Sequence, residues 1–233
     1  FNCPLMINFL IFPGIVLLLS IFLTKRIREL TINRGVLDLP NERSSHSIPT
    51  PRGGGMAFVL IFAFLLSYCL FAFQEDFNIW MALSGSFVLA LVGWLDDIEP
   101  LGVKVRLAVH GLVALWAIFW AKDSLTDPDS LATAFACVFF VFWIIWMINL
   151  YNFMDGIDGL AGSEALVALF FAGFILLARG DVPLALLCLT LACAVGGFLV
   201  FNWPPAKIFM GDSGSCFLGY VLAVMAIVSH GRG

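Results

Sequence analysis

Charged residues are scarce in this chain of 233 residues, at 12% of the total, whereas soluble domains carry roughly 25%. Apolar residues make up 61%, and the mean hydropathy is +1.01. Such a composition excludes an ordinary soluble domain. The apolar runs do not alternate with polar residues as membrane strands do, which favours helices. The sequence therefore predicts an all-α, polytopic membrane protein.

Several chemical signatures are also lacking. The six cysteines lie in or beside apolar runs, and no CxxC pair or Cys/His cluster occurs. This pattern argues against a disulfide framework or a metal site built on cysteine. The chain has neither a Walker motif nor a kinase signature. Any phosphate chemistry must therefore come from a different arrangement of residues.

Eight apolar runs are each near the ~20 residues that a bilayer requires. They cover residues 4–24, 56–73, 78–95, 105–121, 131–149, 160–178, 182–201 and 214–229. Between them, four longer and motif-rich segments (25–55, 96–104, 150–159 and 202–213) alternate with short or featureless ones. Because no internal repeat or linker is visible, a single domain over residues 1–233 is predicted.

Basic residues sort with the motif-rich segments. Nine of them lie on that side, namely Lys25, Arg26, Arg28, Arg34, Arg43, Arg52, Lys104, Arg106 and Lys207. The other side holds three, Lys122, Arg179 and Arg232. The positive-inside rule then predicts that the motif-rich segments are cytoplasmic and that the N-terminus is outside. We expect these four segments to form one cytoplasmic site.

The stretch Asn149–Gly159 places two carboxylates and two carboxamides between two apolar runs. Asp155 and Asp158 are three residues apart and would share a face if they were helical. Gly156 and Gly159 leave the backbone open to close approach. Acidic side chains at a membrane edge usually hold a metal or a substrate. The alternative is a polar loop between two spans with helix-capping Asp and Asn.

Asp96 and Asp97 follow the third span. Neighbouring side chains on a helix point about 100° apart, so the two carboxylates face different directions. They destabilise the C-terminal end of the helix unless a cation or a basic group neutralises them. A functional role is therefore favoured. Lys104 and Arg106 come next, and snorkelling toward the interface is the plain interpretation for both. His110 lies about one turn deeper and is interpreted as a satisfied helix histidine.

The first motif-rich segment carries Arg43, His46 and Arg52 before the triple glycine 53–55. Backbone N–H groups at a glycine-rich helix start bind phosphate oxygens. The alternative is a turn at the start of a helix, with basic residues that touch anionic lipid.

The last segment contains Asn202, Lys207 and Asp212, the last within Gly-Asp-Ser-Gly-Ser. Asp212 is either a functional carboxylate or simply the N-cap of the following helix.

One predicted membrane face thus offers carboxylates, carboxamides and basic groups together. Oxygen ligands without cysteine suit Mg²⁺ or Mn²⁺ better than zinc. Basic side chains around such an ion are typical of phosphoryl transfer, and the lipid boundary favours a lipid substrate. The alternative from a different functional class is a cation-coupled transporter, whose acidic residues would lie at mid-span depth. A scaffold is disfavoured because five unpaired carboxylates would be costly.

Four motifs, in order, carry a resemblance to a known family. They are Asp38-x-Pro-x-x-Arg43-x-x-His46 with Pro51-Arg-Gly-Gly-Gly55, Asp96-Asp97, Asn149-x-x-Asn-x-x-Asp-Gly-x-Asp-Gly-Leu160, and Ala206-Lys-Ile-Phe-Met-Gly-Asp212-Ser-Gly-Ser after Asn202. They resemble the polyprenyl-phosphate N-acetylhexosamine-1-phosphate transferases (glycosyl transferase family 4). This family includes phospho-N-acetylmuramoyl-pentapeptide and N-acetylglucosamine-1-phosphate transferases.

The resemblance implies a Mg²⁺-dependent enzyme of the bacterial inner membrane with a cytoplasmic active site. It would transfer a HexNAc-1-phosphate from a UDP-N-acetylhexosamine to undecaprenyl phosphate and release UMP. Ser47 stands where the peptidoglycan branch has a lysine, which favours a lipopolysaccharide O-antigen or similar glycan over the peptidoglycan alternative. A homodimer is permitted, and no nucleic acid is expected as a partner.

The resemblance also implies residue roles. Asp212, with Asn149, is expected to hold the metal. The predicted catalytic residues are Asp96, Asp97, Asp155 and Asp158. The predicted substrate-binding residues are Arg43, His46, Arg52, Asn149, Asn152, Asn202 and Lys207.

The resemblance also implies about ten membrane helices of the usual ~20 residues, with a cytoplasmic histidine-motif loop after the ninth. This chain begins at Phe1 and has eight predicted spans. We therefore expect a fragment that lacks the C-terminal helices and the histidine-motif loop.

Overall fold

A computed structural model describes residues 3–40, 48–122 and 131–230. Within these ranges the chain forms eight α-helices: α1 (Cys3–Asn33), α2 (Met56–Ala72), α3 (Phe77–Ile98), α4 (Val103–Ala121), α5 (Leu131–Met154), α6 (Leu160–Ala178), α7 (Val182–Asn202) and α8 (Asp212–His230). Two short strands, β1 (Leu37–Asp38) and β2 (Thr50–Pro51), pair antiparallel. The predicted all-α, polytopic membrane fold is confirmed.

Six helical stretches of the described residues are long and apolar enough to cross a bilayer. They are Gln74–Ile98, Val103–Ala121, Leu131–Met154, Leu160–Ala178, Val182–Asn202 and Asp212–Ser229. The stretch Met56–Ala72 is a shorter apolar helix. Each predicted span falls on one of the eight helices.

Three helices extend three or more residues past the C-terminal ends of the spans predicted from hydropathy. α1 continues to Asn33, α3 to Ile98 and α5 to Met154. Hydropathy marks the apolar residues, whereas helical hydrogen bonding continues into the polar residues that follow them. The aspartate pair and Asn152, predicted to lie in loops, are therefore helical residues.

The chain divides into two compact units, each made of two separated stretches. The first unit comprises Phe1–Leu65 and Asp155–Met210, and the second comprises Leu66–Met154 and Gly211–Gly233. The single transferase domain stays a prediction.

In the first unit, α7 packs against α1 and α6. A Cβ added to Gly197 would lie 2.7 Å from the Leu17 carbonyl oxygen, so α1 and α7 approach at backbone distance. Ser20 of α1 donates a hydrogen bond to the Ala194 carbonyl of α7. Small residues and hydroxyl bonds of this kind hold membrane helices together. They fix α7, which ends at Asn202.

In the second unit, α8 packs against α3 and α5. A Cβ added to Gly219 would lie 2.8 Å from the Ile148 Cα, so α8 and α5 are in close contact. The Tyr220 hydroxyl, fully buried, donates to the Ala82 carbonyl of α3 at 2.6 Å. These contacts fix the start of α8, where Asp212 lies.

Candidate functional site

Asp97, in the last turn of α3, binds the first turn of α8. Its two carboxylate oxygens accept the backbone N–H groups of Asp212 at 2.9 Å and Ser213 at 3.3 Å. The first N–H groups of a helix have no partner within the helix, and an acidic side chain normally satisfies them from the N-cap position. Here Asp97 caps a helix that begins more than a hundred residues later in the chain.

Gly211 explains why the cap is supplied from a distance. Its carbonyl accepts the N–H groups of Gly214 and Ser215, so Gly211 occupies the N-cap position of α8 but has no side chain. Its φ of 79° lies in the left-handed region that favours glycine. A Cβ there would collide with the carboxylate of Asp97. The glycine and the distant aspartate therefore form one capping unit.

Arg106 of α4 joins the other two carboxylates of this region. Its Nη1 atom lies 3.2 Å from Asp96 and 3.3 Å from Asp212. Asp96 also accepts the backbone N–H of Leu101. From the sequence we expected a basic group or a cation to neutralise the aspartate pair. Arg106 is that group for Asp96. Its bonds to the two carboxylates were missed, because snorkelling was the interpretation for its position.

The expectation of unpaired carboxylates was wrong for three of the aspartates in this unit. The partners of Asp96, Asp97 and Asp212 are a guanidinium and backbone N–H groups on other helices or beyond the helix end. Sequence proximity does not reveal such partners. The unit therefore holds these three carboxylates in a defined arrangement rather than leaving them exposed.

A pocket of about 130 Å³ opens beside Arg106 and Asp212. It is lined by Val103, Arg106, Leu107, His110, Asn149, Asn152, Asp212 and Cys216. The structure thus brings together two carboxamides and one carboxylate that the sequence singled out. It adds His110, which was interpreted as a satisfied helix histidine.

Both carboxamides of the pocket use their nitrogen atoms within the protein. The Asn152 Nδ2 donates to Ser215 Oγ at 3.2 Å, and Ser215 in turn donates to the Gly211 carbonyl at 3.1 Å. The Asn149 Nδ2 donates to the Ile145 carbonyl at 2.7 Å and lies 3.4 Å from His110 Nδ1. The carboxamide oxygens are then the atoms that these side chains can offer to a ligand.

The donor set of this pocket suits a hard divalent cation. No group of three or more His, Cys, Asp or Glu side chains among the described residues forms a ready-made metal cage. Mg²⁺, however, usually takes only one or two carboxylates, while waters and substrate phosphates complete its shell. Asp212 supplies one carboxylate, and Asn149 and Asn152 supply neutral oxygen ligands.

In the first unit, Asp158 and Asn202 hold backbone segments together. Asp158 accepts the N–H of Ala206 at 2.9 Å. Asn202, only 3% exposed, accepts the N–H of Gly159 at 3.1 Å and donates to the Ile208 carbonyl at 3.0 Å. Both ends of this carboxamide are thus bound to backbone. The predicted substrate-binding Asn202 has a positioning role in the structure.

Asp155 and Asp158 lie in the predicted segment between two spans and not on a helix, so they do not share a helical face. α5 ends at Met154, and residues 155–159 form turns before α6 begins. Two glycines within these five residues disfavour helix. The two aspartates therefore belong to a turn that Asp158 and Asn202 connect to the segment 202–210.

Backbone N–H groups of the triple glycine also donate hydrogen bonds to carbonyl groups of this chain. Gly54 and Gly55 donate to the Phe209 and Met210 carbonyls, each at 2.9 Å, and Phe209 donates back to the Pro51 carbonyl at 2.8 Å. Two of the N–H groups that a phosphate would need are therefore engaged. This arrangement favours the interpretation as a turn at the start of a helix.

The remaining predicted residues of the first unit are basic. The backbone carbonyl of Lys207 accepts a hydrogen bond from Arg28 Nε at 3.0 Å, and the Lys207 side chain is exposed. Arg52 lies next to β2, and its backbone N–H donates to the Val36 carbonyl. Arg43 and His46 lie outside the described residues.

Curated relatives carry two related names. The chain is 30% identical over 220 residues to the probable undecaprenyl-phosphate N-acetylglucosaminyl 1-phosphate transferase of Bacillus subtilis, covering 91% of this chain and 60% of the relative. It is 31% identical over 211 residues to the undecaprenyl-phosphate alpha-N-acetylglucosaminyl 1-phosphate transferase of Thermotoga maritima, covering 91% and 63%.

A third relative, the phospho-N-acetylmuramoyl-pentapeptide-transferase of Streptococcus pneumoniae, is 34% identical over 200 residues, covering 78% of this chain and 60% of the relative. The chain thus spans about 60% of the length of these relatives. The model of glycosyl transferase family 4 matches residues 79–230, more than half of the chain and the whole described part of α8. The chain therefore belongs to glycosyl transferase family 4.

Proposed function

We propose that this protein transfers a HexNAc-1-phosphate from a UDP-sugar to undecaprenyl phosphate and releases UMP. The observation that carries the proposal is the polar pocket of the second unit, where Arg106, Asp212 and two carboxamides meet at helix ends. Charge neutralisation and positioning dominate phosphoryl transfer, and these side chains supply both. A cation-coupled transporter is less well supported, because its acids would lie at mid-span depth beside broken helices.

In this proposal Asp212 and Asn149 hold Mg²⁺, or Mn²⁺ in its place, and Asn152 adds a further oxygen to the pocket. When bound, the ion would neutralise the charge of the pyrophosphate. Ser215 keeps the Asn152 carboxamide in one orientation through its hydroxyl. Asp97 and Gly211 fix the backbone of Asp212, so the carboxylate keeps its place in the pocket.

Direct attack by the lipid phosphate is the mechanism that we propose. An oxygen of that phosphate bonds to the sugar-linked phosphorus, while the bond from this phosphorus to the oxygen of UMP breaks. A phosphate monoester has a second pKa of about 6 and is mostly dianionic at pH 7, so it needs little help from a base. Asp97 uses both carboxylate oxygens in the cap of α8, which disfavours it as a covalent nucleophile. Asp96 orients Arg106 beside the pocket.

We assign the nucleotide to residues of the first unit. Asp155 and Asp158 are proposed to act on the UDP moiety, and Asn202 holds their turn in place. The basic residues proposed to bind substrate phosphates or the sugar are Arg43, His46, Arg52 and Lys207. The exposed side chain of Lys207 supports this role.

The glycan that we favour is a lipopolysaccharide O-antigen or a similar envelope polymer, made at the cytoplasmic face of the bacterial inner membrane. Ser47, in place of the lysine of the peptidoglycan branch, supports this choice. Peptidoglycan synthesis is the alternative, and the Streptococcus pneumoniae relative, named for that reaction, supports it.

The test measures UMP release by the full-length protein with undecaprenyl phosphate, with and without Mg²⁺. UDP-N-acetylglucosamine, UDP-N-acetylgalactosamine and UDP-N-acetylmuramoyl-pentapeptide are offered separately. We expect turnover with a simple UDP-HexNAc that requires the divalent ion and is lost in Asp212→Asn. Turnover with the pentapeptide substrate alone would select the alternative. Absence of turnover with every UDP-sugar would reject the proposed function.

A further inference from the structure

One nitrogen atom of Arg106 serves two carboxylates. The Asp96 and Asp212 side chains are 9% and 13% exposed, and both contact Arg106 Nη1 within 3.3 Å. Two carboxylates and one guanidinium leave a net charge of −1 in this cluster. The remaining guanidinium donors make no hydrogen bond within the described part of the chain, although Arg106 lines the pocket.

We infer that Arg106 is the resting counter-cation of this pocket and competes with the divalent cation for the Asp212 carboxylate. The inference rests on the proposed function, in which Asp212 holds the ion. Arg106 and a cation on Asp212 carry the same sign of charge and would lie within a few ångströms of each other. Their repulsion lowers the affinity of the pocket for the ion.

The arrangement has a direct consequence for substrate binding. A guanidinium that is displaced from Asp212 carries forked N–H donors that match phosphate oxygens. An incoming phosphate therefore offers Arg106 a new partner and offers the cation new ligands. Cation and phosphate then strengthen each other's binding, and the pocket binds the ion weakly until a phosphate is present.

The control residue is on the same helix. Lys104 lies two residues before Arg106, has an exposed side chain and contacts neither carboxylate. Lys104→Gln removes the same charge as Arg106→Gln without breaking either ion pair. Arg106→Lys keeps the charge but loses the planar fork.

The experiment titrates the full-length protein with Mn²⁺ alone and follows free Mn²⁺ by electron paramagnetic resonance. Asp212→Asn defines which part of the binding depends on Asp212. We expect Arg106→Gln to raise the affinity of that site by about tenfold or more, Lys104→Gln to change it by less than about twofold, and Arg106→Lys to stay close to wild type. Circular dichroism verifies that each variant is folded.

If Arg106→Gln does not fold, the Asp96→Asn variant is compared with the double variant Asp96→Asn/Arg106→Gln. The double variant keeps the net charge of −1 in the cluster. The double variant should then bind Mn²⁺ more tightly than Asp96→Asn alone. Unchanged or weaker binding in folded Arg106→Gln, or an equal gain in Lys104→Gln, would overturn the inference while the proposed function stands. If Asp212→Asn removes no Mn²⁺ binding from the wild type, the proposed metal site itself is wrong.

Discussion

The Asp97 carboxylate accepts the backbone N–H of Asp212 at 2.9 Å, so the end of one helix is bound to the start of another. Negative charge is unfavourable at the C-terminal end of α3 and favourable at the N-terminal end of α8. The stabilisation that the Asp97 charge provides at the start of α8 therefore offsets the destabilisation that it causes at the end of α3. The second aspartate of the pair has a structural task, whereas Asp96 faces Arg106.

Replacing Asp97 by Asn should destabilise the protein by about 1–2 kcal/mol. The amide can accept one of the two N–H groups but turns its own NH₂ toward the other. Thermal unfolding in detergent measures the loss. Glu75→Gln is the control, because Glu75 is exposed and lies outside the eight α-helices. Equal midpoints for both variants would contradict the cap, and substantial transferase activity in folded Asp97→Asn would exclude an aspartyl-phosphate at this residue.

Gly211→Ala should be more harmful than Gly180→Ala. Both glycines have a positive φ, 79° and 84°, so each substitution carries a backbone cost of about 1–2 kcal/mol. Only the Cβ at residue 211 meets another group, the Asp97 carboxylate, whereas nothing lies within 4 Å at residue 180. The difference between the free energies of unfolding of the two variants, measured with denaturant, gives the cost of the collision at residue 211. Indistinguishable stabilities would show that Asp97 does not lie against Gly211.

Gly219→Ala and Gly111→Ala should have opposite effects. Both residues are within helices, where alanine is favoured over glycine by about 1 kcal/mol. At residue 111 no atom outside the neighbouring helix backbone lies within 4 Å of the new Cβ, so a gain is expected. At residue 219 the Cβ would meet the backbone of Met147 and Ile148 in α5, and overpacking costs about 1–3 kcal/mol. A stabilised Gly219→Ala protein would argue against the close contact of α8 and α5.

Asp158→Asn should separate structure from chemistry in the first unit. The amide oxygen can still accept the Ala206 N–H, so the unfolding midpoint should change little. If the charge of Asp158 acts on the nucleotide, activity should fall by at least about tenfold, the equivalent of 1.4 kcal/mol. Full activity in the folded variant would remove Asp158 from the proposed catalytic residues.

Asn202→Asp provides the contrasting case. It keeps the acceptor for Gly159 but places a carboxylate oxygen against the Ile208 carbonyl in a buried position. We expect destabilisation of about 1–3 kcal/mol and faster hydrogen exchange at Gly159. Asn33→Asp, at an exposed position at the end of α1, should show neither effect. A stable Asn202→Asp protein with protected Gly159 would contradict the positioning role of Asn202.

The spans could be predicted from the sequence because each apolar run had to be helical and near bilayer length. The helix ends could not, since residues such as Asp97 and Asn152 are polar and yet continue the hydrogen bonding of α3 and α5. The two-residue strands were also missed, because such short pairing leaves no periodic pattern.

The chemistry of the pocket was predictable at Asp212, Asn149 and Asn152, which stand out as polar residues beside apolar runs. Arg106 and Ser215 were missed because their partners are distant in sequence. The available signal was the aspartate pair itself, which demanded a basic group nearby. The aspartate pair could not show whether Lys104 or Arg106 is this basic group, because that depends on which face of α4 lies toward α8.

The cap of α8 also bears on how the protein is made. Asp97 is synthesised 115 residues before its partner Asp212. At ribosomal rates of roughly 5–20 residues per second, the nascent chain carries this aspartate without its helix for on the order of ten seconds. The second unit is completed only after α8 has left the ribosome and entered the membrane. Until then, the Asp97 carboxylate has to be solvated by water or by the insertion machinery.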